Sequence, residues 1–145
     1  MENVQMTIGT TCWGSEVLSV WDQVQSGFCH IGNLYPSTTD PAVQEAATLI
    51  CQKLASLLGI DCPWGIDAVL TKDHNGKTQL SVVDVNVARF CGGHYPSLFG
   101  QAHGITMKCW LASKSSDAVP ELLLNSADVV KKPLSYSRCL WYILA

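Results

Sequence analysis

The chain predicts an α+β fold, with a largely antiparallel sheet and helices packed on one face. Three observations carry this expectation. Residues 41–58 hold one apolar stripe at helical spacing with start and stop signals. Residues 65–72 and 77–87 are Ile-, Val- and Leu-rich runs on either side of an Asn-Gly turn signal. The 145 residues are 48% hydrophobic and 14% charged, which suits one core in a single domain over residues 1–145.

Residues 3–24 come first and read as a hairpin. Short apolar and β-branched runs are broken at Gly9 and Gly14, and Glu16 to Val24 has the composition of a strand. The helix follows. Asp40 is placed as N-cap and Pro41 at the first helical position, where a missing N–H costs nothing. Val43, Ala46, Ala47, Ile50, Leu54, Leu57 and Leu58 then recur on one face, and Gly59 ends the helix. Residues 88–104 are glycine-rich and read as a loop with a short helix. Residues 119–128 form a second candidate helix, and residues 138–145 are strand-like.

Composition excludes several classes. Nine Lys and Arg against twelve Asp and Glu give a net charge of -3, with no basic stripe for nucleic acid. No run of about 18 apolar residues is present to span a membrane. The start, Met1-Glu2-Asn3-Val4-Gln5, lacks the cationic and apolar regions of a signal peptide. The seven cysteines are odd in number and scattered, without a CxxC pair. These features together predict a cytoplasmic protein with reduced thiols.

The Asn75-Gly76 turn predicts a register. With those two residues as a two-residue loop, His74 pairs with Lys77 and residue 70 with 81, which sets Asp67 opposite Asp84. Asn86 then shares their face one pleat on. Like charges directly opposed on a sheet repel, and a divalent cation removes that penalty. Magnesium favours hard oxygen ligands, so Asp67, Asp84 and Asn86 read as a magnesium–nucleotide site. The alternatives are that Asp67 caps a turn, or that Asp84 pairs with Arg89. A one-residue bulge would send the carboxylates to opposite faces.

The stretch Trp64-Gly65-Ile66-Asp67-Ala68-Val69 with Val82-Val83-Asp84-Val85-Asn86-Val87-Ala88-Arg89-Phe90-Cys91-Gly92-Gly93-His94 resembles the C-terminal half of an ATP-grasp domain. Trp21-Asp22-Gln23 and His30-Ile31-Gly32-Asn33-Leu34-Tyr35-Pro36 resemble the segment that precedes its helix, so the similarity spans roughly residues 16–104. It implies an ATP- and magnesium-binding lobe of an ATP-dependent carboxylate–amine ligase that works through an acyl phosphate. Asp67, Asp84 and Asn86 would hold magnesium. Asn86, Arg89, Gly92 and Gly93 would bind the nucleotide, with Arg89 on phosphate or acyl phosphate. The partners implied are a nucleotide, a small carboxylate and amine substrate, and a completing lobe or second copy.

Two departures stand out: Asp84 where the family has Glu, and Val87-Ala88 between Asn86 and Arg89 where one residue is usual. The lysines and flap of a second lobe have no counterpart, so the chain alone is expected to be inactive. The other function classes are a binding or structural domain that keeps the fold without turnover, and a cysteine-dependent hydrolase using Cys91 and His94.

Overall fold

The computed structural model describes residues 4–26, 29–90, 93–111, 132–133 and 139–144. The expected helix over 119–128, the loop around 113–117, Cys91 and Gly92 lie outside the described residues.

Eight strands form one sheet: β1 (Val4–Trp13), β2 (Glu16–Ser26), β3 (Cys29–Tyr35), β4 (Pro63–Lys72), β5 (Thr78–Val87), β6 (Thr106–Leu111), β7 (Lys132–Pro133) and β8 (Cys139–Leu144). Their order is β5-β4-β1-β2-β3-β6-β8-β7, and every pairing is antiparallel. Helix α1 (Pro41–Leu58) and helix α2 (His94–His103) complete the described elements. The α+β class and the antiparallel sheet are as expected. No described helix is long and apolar enough to cross a membrane.

Helix α1 has the bounds its sequence signals set. Asp40 accepts the Ala42 N–H at 2.8 Å, Pro41 opens the helix, and Gly59 closes it at φ 64°. The buried stripe is narrower than expected. Ala47, Cys51 and Ala55 seat against Ile8, Cys12, Trp64, Ile66, Ala68 and Leu70, so small residues let the helix lie close to β1 and β4. Leu57 and Leu58 extend beyond this contact and stay 70% and 61% exposed.

The helices occupy opposite faces, which corrects the expectation of a single helical face. Thr10 Oγ1 sits 3.3 Å from Cys51 Sγ on α1, whereas the next residue, Thr11, bonds His94 and Ser97 on α2. Successive side chains of a strand point to opposite faces, so α1 and α2 sandwich β1 between them.

Trp21 fixes the α2 side. Its indole lies over Gly9, its cross-strand partner, and against Gly93 at the head of α2. A Cβ at either glycine would collide with the ring. The indole N–H donates to Thr11 Oγ1 at 3.1 Å, so the buried ring has its one polar group satisfied. Below it, buried Asp22 accepts from Ser37 Oγ, Thr38 Oγ1 at 2.6 Å and the Thr38 N–H at 2.8 Å, and so ties the loop before α1 to β2.

Gly9→Ala is expected to lower stability by about 1–3 kcal/mol through overpacking against Trp21. A lower urea midpoint with an unchanged slope would show it.

Candidate functional site

The β4–β5 hairpin brings the expected side chains together by a different route from the one the turn implies. The loop has three residues, His74, Asn75 and Gly76. Asp73 N–H bonds the Lys77 carbonyl at 3.0 Å, Gly76 N–H bonds the Asp73 carbonyl at 2.9 Å, and Gly76 adopts φ 77°. Leu70 therefore pairs with Leu80 and not with Ser81. The register then shifts once more, because Ala68 pairs with Val82 and Asp67 with Asp84, which leaves Val83 as an extra residue. The two one-residue offsets cancel. Asp67 and Asp84 face each other as expected, and the bulge that would have parted them in a two-residue hairpin is what joins them in this one.

Asn86 shares that face. Its Nδ2 donates to Asp67 Oδ2 and to Asp84 Oδ2, both at 3.3 Å. Gln23 on β2 donates Nε2–H to the other Asp67 oxygen at 2.7 Å. Asp84 Oδ1 accepts the Val85 N–H at 2.9 Å. Burial raises the Asp67 pKa, and the neighbouring Asp84 raises it further, against the opposing pull of His30, Asn86 and Gln23. Two amides thus hold two carboxylates that repel each other.

Arg89 is exposed and its Nη2 meets Asn86 Oδ1 at 3.5 Å, so the expected Asp84–Arg89 alternative gives way to an Asn86–Arg89 contact. The additional residue before Arg89 is absorbed at Ala88, which takes φ 57° and donates its N–H to the Pro63 carbonyl at 2.8 Å. A left-handed alanine is unusual, and it turns the chain sharply off the end of β5. Gly93 is buried, and its N–H reaches the Asn33 amide oxygen at 3.3 Å. The contacts of Gly93 are thus with Trp21 and Asn33. Gly92 is outside the described residues.

Sequence reasoning assigned no role to Gln23 or Asn33, which the sheet brings to this face from β2 and β3. Their only signal was a place in a resembling segment. It paired His94 with Cys91 in the hydrolase reading. His94 is 4% exposed, with Nδ1 3.0 Å from Thr11 Oγ1 and its ring stacked on Phe90 at 5.1 Å. Of the described thiols, Cys12 and Cys51 are sealed in the core and Cys62 is half-buried. A hydrogen bond donated to Cys51, then burial, holds the Cys12 thiol well above its usual pKa, which makes it a poor nucleophile.

Among the described residues, no three His, Cys, Asp or Glu side chains gather as a metal cluster. The donor set here is two carboxylates and one amide. These are hard oxygen donors of the kind magnesium takes, provided Asn86 turns its Oδ1 inward. The residues present fit such an ion in chemistry and number.

No family model matches the sequence, and no curated protein matches it. Solved structures do. The carboxyaminoimidazole ribonucleotide synthetase of Thermotoga maritima superposes with TM-score 0.66 at 11% identity, over 99% of this chain and 48% of that one. The Aspergillus clavatus synthase, solved with ADP and 5-aminoimidazole ribonucleotide, gives 0.59 at 13% identity over 99% and 46%. A protein from Archaeoglobus fulgidus described as ATP-grasp superfamily gives 0.55 at 16% identity over 96% and 45%. The fold is therefore that of part of an ATP-grasp protein. The chain spans about half the length of the structures it matches.

A pH response follows from His94. Burial, and then the Arg89 charge, lower its pKa from 6.5 to about 4. Between those values the unfolded chain binds a proton that the native chain refuses. Stability is therefore full above about pH 6.5 and falls on acidification towards pH 4, by on the order of 3 kcal/mol. Urea unfolding at pH 4.5 and 7 should show this loss, and His94→Asn should reduce it.

Proposed function

We propose that this chain is the ATP- and magnesium-binding lobe of an ATP-dependent carboxylate–amine ligase. The observation that carries the reading is the convergence of Asp67, Asp84 and Asn86 on one sheet face, in a chain with an ATP-grasp fold. Magnesium, when bound, would neutralise nucleotide phosphate charge and stabilise the charge of the transferred phosphoryl group. Asp67 and Asp84 would hold it through their carboxylates, and Asn86 through Oδ1. Gln23 would keep Asp67 oriented.

Arg89 is exposed, and among the described residues its hydrogen-bond contact is the long one to Asn86. Its fork of donors suits phosphate or acyl-phosphate oxygens. Gly92 follows in the sequence and has no Cβ to hinder close approach of substrate, whereas Gly93 makes room for the Trp21 ring. The reaction class is phosphoryl transfer to a carboxylate, followed by attack of an amine at the activated carbon and loss of phosphate. Crystal complexes of fold relatives with ADP or ATP, one also holding an aminoimidazole ribonucleotide, support a nucleotide and a small amine-bearing substrate.

The chain would work in the cytoplasm with a completing lobe or a second copy, and would bind nucleotide without turnover on its own. A second reading is a non-catalytic domain that keeps the fold. The shorter Asp84 and the left-handed Ala88 favour it, since both move groups that turnover would need to be placed closely.

The test is titration calorimetry of the full chain with ADP and magnesium. Binding is expected to require magnesium. Asp84→Asn should weaken it by on the order of 10-fold or more, equivalent to about 1.4 kcal/mol, with an unchanged circular dichroism spectrum. Equal binding by the variant would remove Asp84 from the site.

A further inference from the structure

Helix α1 covers its side of the sheet over only part of the width. It seats Ala47, Cys51 and Ala55 on the core residues of β1 and β4. On β5, Val82, Val85 and Val87 pair with Ala68, Ile66 and Trp64, three members of that core. Directly paired residues share a face, so the three valines belong to the α1 side. Their β4 partners are at most 1% exposed, whereas the valines are 37%, 37% and 47% exposed. The helical cover thins out at β5.

Helix α1 also supplies a wall beside this floor. Gln44 turns toward β2, because its amide donates to the Ser37 and Thr39 carbonyls in the loop that Asp22 ties to that strand. The opposite flank carries Ile50, Lys53, Leu54 and Leu57 at three- and four-residue spacing, and so faces β5. Ile50, Leu54 and Leu80 of β5 pack against the same core, and Leu57 stands in the open. Floor and wall form an apolar trough. Lys53 on the wall, and Lys72 two residues beyond Leu70 on the α1 side of β4, put positive charge at its borders.

The dimensions select a helix. Strands lie about 4.8 Å apart, so β5 is about 7 Å from the midline of β1 and β4. Packed helices lie about 8–10 Å apart, which sets the axis of a neighbour of α1 over β5 and its outer margin. A second sheet cannot enter that layer, because α1 fills it. An added strand would have to pair along an edge that the Val83 bulge interrupts. Helices α1 and α2 are both already seated on this sheet. A second copy brings the same two seated helices and the same lysines. The structures that share the fold are about twice as long, so each has as much chain again to place around it.

We propose that the trough between α1 and β5 receives an amphipathic helix of the completing half. Its apolar face meets Val82, Val85, Val87 and Leu57, and its rims are acidic toward Lys53 and Lys72. Resting on the reading above of a lobe that works with a completing lobe, this gives the partner a docking surface on the side opposite the candidate site. The nucleotide face stays open while the trough is filled.

The test uses the full chain and a fluorescent synthetic helix with one leucine stripe at three-four spacing and glutamate elsewhere. Sedimentation of the chain alone is expected to show a monomer. Anisotropy should then show saturable one-to-one binding, weakened by about 10-fold or more in Leu57→Asp and in Val82→Asp, each with an unchanged circular dichroism spectrum. A scrambled peptide of the same composition, and a stripe with lysine in place of glutamate, should bind more weakly by a similar factor. Equal binding of either control peptide, or equal binding by Leu57→Asp, overturns the proposal. So does a dimer that Leu57→Asp dissociates, which gives the trough to a second copy. Calorimetry with Mg2+·ADP on the same wild-type sample separates the two readings. Nucleotide binding without peptide binding removes the trough and keeps the ligase lobe. Peptide binding without nucleotide binding keeps the trough as a helix site and removes the ligase.

Discussion

Two carboxylates facing each other across adjacent strands are an electrostatic liability, and the site face is organised around that opposition. Asp67 and Asp84 are a directly paired cross-strand couple. Without compensation such a couple works against the sheet that carries it. Gln23 reaches Asp67 from two strands away, and Asn86 divides its amide hydrogens between the two acids. Among the described residues the hydrogen bonds to the pair come from neutral amides and not from a lysine or arginine. Dipoles leave the pair's net charge in place, so the attraction for a cation survives in the folded chain.

The α2 side is built on a different principle. Trp21 occupies the space that Gly9 and Gly93 leave open, and its N–H feeds a closed set of hydroxyls on β1, β2 and α2. A buried hydroxyl cluster of this kind fixes geometry, because its polar atoms have partners only in that arrangement. The segment that carries Arg89 and Phe90 runs between these two regions. It is pinned at one end by Ala88 against Pro63 and at the other by the Phe90–His94 stack.

Much of this was legible in the sequence where the signals were local. Helix α1 begins and ends where Asp40, Pro41 and Gly59 place it, because caps act through neighbouring backbone atoms. The Asp67–Asp84 pairing was anticipated correctly by way of an incorrect turn, since neither the three-residue loop nor the Val83 bulge has a sequence signature that outweighs Asn-Gly. Strand β3 was hidden because His30, Gly32 and Asn33 interrupt its apolar pattern for reasons that belong to the opposite face and the loop before α2. The burial of His94 depends on Thr11, Trp21 and Ser97, which lie far off in the chain and come together only through the sheet order. The placing of the helices on both faces follows from the alternation at Thr10 and Thr11, a distinction that composition does not carry.

Strand β5 forms the outer margin of the sheet, and it shows Val82, Val83, Val85 and Val87 to solvent. Its ten residues hold neither lysine nor proline, the usual guards against lateral association of a free strand. The Val83 bulge and the Asp84 charge are what stand in their place. The same carboxylate therefore has a colloidal duty as well as a chemical one. Whatever neutralises it, an acid or a divalent ion, also takes the guard off the margin.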